Sequence, residues 1–126
     1  MAPAEPVYSM NYFKTEKLLE LTWLPGTKGM TDQNFKEALL VFADGGLHHR
    51  AERLIIDMRQ FMARPSEQVG EWRDDVIVPM YVKAGVKKIA WVWPGVDAGE
   101  MGTGAAYQQR YFAGRDEAIK WCVAPS

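Results

Sequence analysis

The chain has 126 residues, of which 48% are hydrophobic and 25% are charged, and its formal net charge is −1. These values predict one soluble globular domain over residues 1–126 and argue against nucleic-acid binding through a positive field. A single cysteine, Cys122, excludes an internal disulfide. Residues 1–6 lack a signal-peptide pattern and no apolar run is long enough for a membrane span, so we expect a cytoplasmic protein.

The N-terminal third is predicted to form a loose tail at residues 1–6, an antiparallel hairpin and a helix. Residues 7–14 and 18–24 have strand-like patterns, and in the second of them Leu19, Leu21 and Trp23 alternate with polar residues. Thr31 has the profile of an N-cap, and the helix that follows presents an apolar face at helical spacing: Phe35, Ala38, Leu39 and Phe42. Gly45-Gly46 is predicted to end it.

The centre of the chain has the pattern of a β-α-β unit. Leu54-Ile55-Ile56, Asp57 and Met58 form a short apolar run typical of a strand buried on both faces, and residues 89–93 supply a parallel neighbour. The crossover helix is expected over residues 66–84, with Ser66 as N-cap, Pro79 as a bend and Gly85 as the end. Its buried face is predicted to consist of Val69, Trp72, Val76 and Met80.

After a glycine-rich segment, the last part is predicted to hold a short helical turn at 98–101, an edge strand at 107–112 and a helix at 116–123. The whole order predicts an α/β fold. We expect a mixed sheet of about five strands, with an N-terminal antiparallel hairpin and helices mainly on one face.

The strand Leu54–Arg59, the helix with its late Pro79, the run Ala84–Ala90 and the ending Tyr111–Trp121 resemble the SpoIIAA-like, or STAS, superfamily. The ending also resembles small stand-alone bacterial members of that superfamily. The resemblance implies a βα superhelix and a non-enzymatic role without a cofactor. Some members are anti-sigma-factor antagonists, switched by phosphorylation of a serine near the start of the helix after the central strand. Ser66 is the position onto which that phosphoacceptor maps, although a helix N-cap also accounts for a serine there. Relatives of the lipid-transfer (SEC14-like) type hold apolar ligands.

Four other features of the sequence bear on metal binding, catalysis or ligand binding. His48-His49 lacks a third ligand at metal spacing, and basic residues beyond a helix C-terminus are the alternative. Asp57 is either a reactive carboxylate or an acceptor for loop amides and an arginine. Cys122 lies among apolar positions typical of a packed thiol. The segment from Gly95 to Gly104 is a loop or a ligand lid.

Five tryptophans are more than a core of this size needs. The first functional hypothesis is a regulatory or protein-interaction module of the STAS type, because the expected fold, the near-neutral charge and the lack of a catalytic constellation in the sequence all agree with it. The second is a binder of a small apolar ligand or lipid, in a pocket lined by Trp23, Phe61, Trp91 and Trp93; an enzyme, which needs polar partners around Asp57, is third. If Trp91 and Trp93 share an uncovered sheet face, a homodimer is expected to bury them.

Overall fold

A computed structural model describes residues 6–95, 99–100 and 106–125. The strands are β1 (Tyr8–Phe13), β2 (Leu18–Trp23), β3 (Arg53–Asp57), β4 (Lys88–Val92), β5 (Gly99–Glu100) and β6 (Gln108–Phe112). The α-helices are α1 (Asp32–His49), α2 (Glu67–Trp72), α3 (Val78–Ala84) and α4 (Arg115–Val123), with a 3-10 turn at Pro25–Gly29 and a π-helical segment at Arg73–Ile77. The predicted α/β class is confirmed. No described helix has the length and apolarity that crossing a bilayer requires.

The strands form one mixed sheet in the order β1-β2-β3-β4-β6-β5. The first pair is the predicted antiparallel hairpin, and β2, β3, β4 and β6 run parallel. The strand predicted at 107–112 is present as β6, but its expected place at the edge of the sheet is wrong, because Gly99 and Glu100 pair with its outer side. The same pairing contradicts the helical turn predicted at 98–101, of which the structure describes residues 99 and 100. This pairing joins segments that local periodicity does not connect.

Helices cover the two faces of the sheet unequally, as predicted. We call the face under α1, α2 and α3 the main face; its core includes Leu21, Ile56 and Trp91 from the sheet and Phe42 and Tyr81 from the helices. Only α4 covers the described part of the second face, where it buries a smaller cluster: Leu18, Ile55, Ala90, Val92, Phe112, Ala118 and Cys122. Helices therefore lie mainly on one face.

Helix α1 begins as predicted and ends later. The Thr31 hydroxyl accepts a bond from the Asn34 amide at 3.1 Å, and the Asn34 side chain accepts one from the Thr31 amide. The predicted stop at Gly45-Gly46 is wrong, because the helix continues to His49 and is capped by Arg50 in the left-handed region (φ 52°). A Cβ at Gly45 would lie 3.5 Å from Leu19, an ordinary contact distance, so neither the helix nor its packing on β2 is interrupted there.

The crossover helix spans the predicted residues but contains the π segment. The Val78 amide donates to the carbonyl of Arg73, five residues earlier, and Pro79 follows Val78 directly. Pro79 has no amide to offer the Asp75 carbonyl, and a widened turn is one way in which a helix absorbs such a gap. The extra residue shifts the buried face by one position. Ile77 and Tyr81 are buried, whereas the predicted Val76 is exposed and Met80 only half-buried.

Basic side chains from the sheet bind the carbonyl end of α4. The ammonium of the buried Lys88 donates to the carbonyls of Trp121 and Ala124, both at 3.0 Å. The Arg53 Nε donates to the Cys122 carbonyl at 2.7 Å. These bonds satisfy carbonyls that a helix end leaves without partners, and they place positive charge where the helix dipole favours it.

Candidate functional site: an aromatic cavity with one arginine

A cavity of about 210 Å³ lies between the main face of the sheet and helices α1 and α2. Its sheet side comes from Trp23, Ile56 and Trp91 on three adjacent parallel strands, where Ile56 is the register partner of Trp91. Phe35 of α1 and Val69 of α2 are among the residues that close it from the helix side.

Phe61 supports one wall of the cavity without lining it. Its ring lies 5.3 Å from that of Trp23 and 5.6 Å from that of Phe35, both edge-on, while Trp23 and Phe35 are stacked at 5.3 Å. The buried Thr27 holds the Phe61 loop, since its hydroxyl accepts a bond from the Met62 amide at 2.8 Å. Offset and edge-on aromatic contacts of this kind give a rigid wall.

Arg73 is the one charged residue among the described residues that line the cavity. Its guanidinium lies 5.1 Å from the centre of the Trp91 ring, within cation–π range. The Trp91 indole N–H donates to Gln109 Oε1 at 3.1 Å, so the ring that supports the guanidinium is itself fixed. No carboxylate of the described residues forms an ion pair with Arg73.

The charge of Arg73 is directed towards buried aromatic residues. Burial raises the pKa of Tyr81, Tyr107 and Tyr111, and the positive charge of Arg73 opposes that rise at all three. Arg73 is the first residue of the π segment, and Pro79 lies just after its end. The aromatic contacts of Arg73 and the proline therefore belong to the same irregular stretch of helix. π-Helical turns are frequent at functional sites.

Ser66 lines the cavity at the N-terminal end of α2, but the expectation that its hydroxyl caps the helix is wrong. The hydroxyl donates to Asp32 Oδ2 at 2.6 Å and the Ser66 amide donates to Asp32 Oδ1 at 3.2 Å. Both bonds lower the pKa of Asp32. Asp32, at the start of α1, offers the hydroxyl a charged acceptor, and hydrogen bonds to charged groups are stronger than those between neutral groups. The Ser66 hydroxyl therefore links α2 to α1.

Two of the four predicted pocket residues, Trp23 and Trp91, line the cavity, and Phe61 packs behind it. Trp93 does not: it is 39% exposed and packs edge-on against Tyr111 at 5.9 Å. The premise of the dimer hypothesis is also wrong, because Trp91 lies on the main face beneath Arg73 and is 9% exposed. The two-residue periodicity of a strand predicts that both tryptophans lie on one face, but it does not indicate which face the helices cover.

Asp57 lies apart from the cavity, on the second face with Ile55. Its carboxylate accepts the Arg59 amide at 3.1 Å and is held by the Arg59 guanidinium through contacts of 2.7 to 3.2 Å. Hydrogen bonding by the carboxylate raises the pKa of Arg59. The alternative of a loop-amide acceptor paired with an arginine therefore describes Asp57.

The remaining candidates have structural surroundings. His48 and His49 are exposed in the last turn of α1, and Tyr12 stacks on His49 at 3.9 Å. Cys122 is buried, its thiol points at the Leu54 carbonyl at 3.7 Å, and burial raises its pKa to about 12. Most of the segment from Gly95 to Gly104 lies outside the described residues. Within the described ranges, no three His, Cys, Asp or Glu side chains cluster as a metal site would require.

Two other hollows are poorer candidates. A wider one of about 630 Å³ runs beside β1 and the start of α1, but its wall includes the exposed Val41 and no charged group converges there except Glu37. Another, of about 180 Å³, runs along α4, and the guanidinium of its Arg115 is already bound to the buried Glu20. The aromatic cavity combines apolar walls with a cation that has no such partner, the combination typical of ligand pockets.

Sequence reasoning missed Arg73, Phe35 and Asp32 as parts of this site. Arg73 lies four residues after the buried Val69, on the same side of a regular helix, but a charged side chain is not expected to line an apolar cavity. Scanning the chain against protein-family models, curated proteins and solved structures finds no match.

Proposed function

We propose that this protein is a non-enzymatic binding module, resembling STAS domains, that holds a small apolar ligand between the sheet and helices α1 and α2. The observation that carries the proposal is the cavity of about 210 Å³ walled by Trp23, Phe35 and Trp91. A cavity of roughly 150 Å³ is known to bind benzene, so this one has room for about eight to ten non-hydrogen atoms.

The surroundings of Asp57 do not favour a catalytic role for its carboxylate. Asp57 is neutralised by Arg59 and lies on the opposite face of the sheet from the cavity. The walls of the cavity instead offer apolar surface and fixed rings, which bind by excluding water and by shape.

The test is a titration with 2-phenylethanol, followed through the indole N–H signals in ¹H–¹⁵N spectra. Trp23 and Trp91 line the cavity, whereas Trp121 lies on the second face and serves as an internal control. We expect the signals of Trp23 and Trp91 to shift and that of Trp121 to stay. Equal shifts at all three, or none at millimolar ligand, would reject the proposal.

A cavity-filling variant sharpens the test. Val69 is 2% exposed and lines the cavity, so Val69→Phe should occupy the space and weaken binding at least tenfold. Val82→Phe is the matched control, since Val82 is 46% exposed in α3. Thermal melts of both variants establish that each is folded before binding is compared.

A protein-interaction role is the second candidate, and the exposed Trp93 favours it. Large aromatic side chains that face water beside another aromatic residue are common at protein contacts. For a homodimer through this site, sedimentation at micromolar concentration should give twice the 14.3 kDa chain mass, and Trp93→Lys should return it to one chain. A single-chain mass for the wild type would exclude the dimer.

A further inference from the structure

We infer that the cavity selects an apolar ligand that ends in a single carboxylate, and that Arg73 binds this group. The inference rests on the proposed function, because it assigns the chemistry of the ligand to the same cavity. It starts from an imbalance: the walls are apolar, yet a permanent positive charge lines them.

An arginine beside an apolar cavity needs a reason. Its partial burial costs solvation, and this cost is normally offset by a carboxylate. Among the other half-buried arginines that the structure describes, Arg115 is bound to the carboxylate of Glu20 and Arg53 to backbone carbonyls. Arg110 also lies against aromatic rings, but it does not line the cavity. Within the described residues, the recorded contact of the Arg73 guanidinium is the Trp91 ring.

The ring contact leaves the edge of the guanidinium free. When a guanidinium stacks on an indole face, its N–H groups point outwards in the plane of the guanidinium, where an acceptor can reach them. The planar fork of N–H donors matches the two oxygens of a carboxylate. A ligand with its apolar body against the rings that line the cavity would bring an acid group to that fork.

The charge of the site favours a monoanion over a dianion. Arg73 supplies one positive charge among residues that cannot solvate a second negative one. A phosphate monoester would carry nearly two charges into these walls, and only one of them would be neutralised. A small monocarboxylic acid with an aromatic or branched body fits both volume and charge.

The experiment compares phenylacetate with 2-phenylethanol, two probes of similar size that differ in charge. We expect the wild type to bind the acid about tenfold more tightly than the alcohol at low salt, and Arg73→Met to abolish that preference by weakening the binding of the acid more than that of the alcohol. Methionine keeps an apolar side chain over Trp91 and removes the charge. Arg64→Met is the matched control, because Arg64 is exposed and does not line the cavity.

Each outcome decides the inference. It is overturned if the alcohol binds as well as the acid, or if the acid preference survives in Arg73→Met, and in both cases the proposed function stands. If neither probe binds the wild type, both proposals fail. Should Arg73→Met not fold, raising the salt on the wild type serves instead: only the affinity for the acid should fall, and an unchanged acid affinity overturns the inference.

Discussion

The ion pair between Glu20 and Arg115 allows a sharp test of how this fold tolerates buried charge. Glu20 lies in the middle of β2, its side chain is 3% exposed, and its carboxylate accepts both Nε and a terminal nitrogen of Arg115, the latter at 2.9 Å. Replacing Arg115 by methionine leaves that carboxylate buried without its partner. Breaking a buried pair in this way typically costs 3–5 kcal/mol.

Two features place the expected loss near the lower bound. The Arg115 side chain is 36% exposed, so water can partly replace it, and the Arg59 guanidinium is near enough for Glu20 to affect it. We therefore expect about 3 kcal/mol, equivalent to a fall in Tm of roughly 10 °C for a chain of this length. The double variant Glu20→Leu/Arg115→Met removes both charges and should recover most of the loss.

Urea unfolding followed by far-UV circular dichroism measures these differences. Lys17→Met is the matched control: it breaks a pair with Glu52 in which the lysine side chain is 57% exposed, and should cost at most about 1 kcal/mol. If Arg115→Met costs no more than this control, or if the double variant is no more stable than the single one, the reasoning is refuted.

Four further predictions concern the helices on the two faces of the sheet. Ser66→Asp should lower Tm more than Ser66→Ala, because it places a second carboxylate beside that of Asp32. Adding Asp32→Asn to Ser66→Asp should restore the lost Tm, and the absence of any restoration would contradict the contact between residues 66 and 32. In the wild type, Asp32 has its pKa lowered below 3.8, so its contribution to stability is present above about pH 4 and should disappear as acid titration protonates it, an effect absent from Asp32→Asn. Pro79→Ala should change the free energy of unfolding by less than about 1 kcal/mol, because the fully buried Ile77 and Tyr81 require the π register, and a loss above roughly 3 kcal/mol would show that proline itself is required. Cys122 should react with a disulfide reagent only at the rate of unfolding, and fast labelling of the native protein would contradict its burial.

The sequence was sufficient for the parts of the fold that depend on local pattern. Alternation identified β2 from Leu19, Leu21 and Trp23, and the double-sided apolar run identified β3 and its crossover. Trp23 and Trp91 were recognised as pocket residues because large aromatic side chains exceed what a small core requires.

What the sequence could not show depends on contacts between distant segments. Glu20 looks like the polar side of an amphipathic strand until Arg115, 95 residues later, covers it. Ser66 has the identity of an N-cap and becomes a link to Asp32 only when α1 lies beside it. Ile77 and Tyr81 take the buried positions predicted for Val76 and Met80 because of the π segment, and a regular helical wheel gives no sign of that shift.

Placing α4 alone on the second face has a consequence for synthesis on the ribosome. The strands β2, β3 and β4 are made early, but among the described residues the helix that covers Leu18, Ile55 and Val92 begins at Arg115. Until those residues emerge from the exit tunnel, the nascent chain presents an apolar sheet face together with Lys88, whose acceptor carbonyls do not yet exist. Such a face is what chaperones that act during translation recognise, and a chain stalled before Arg115 is expected to be held by them or to aggregate.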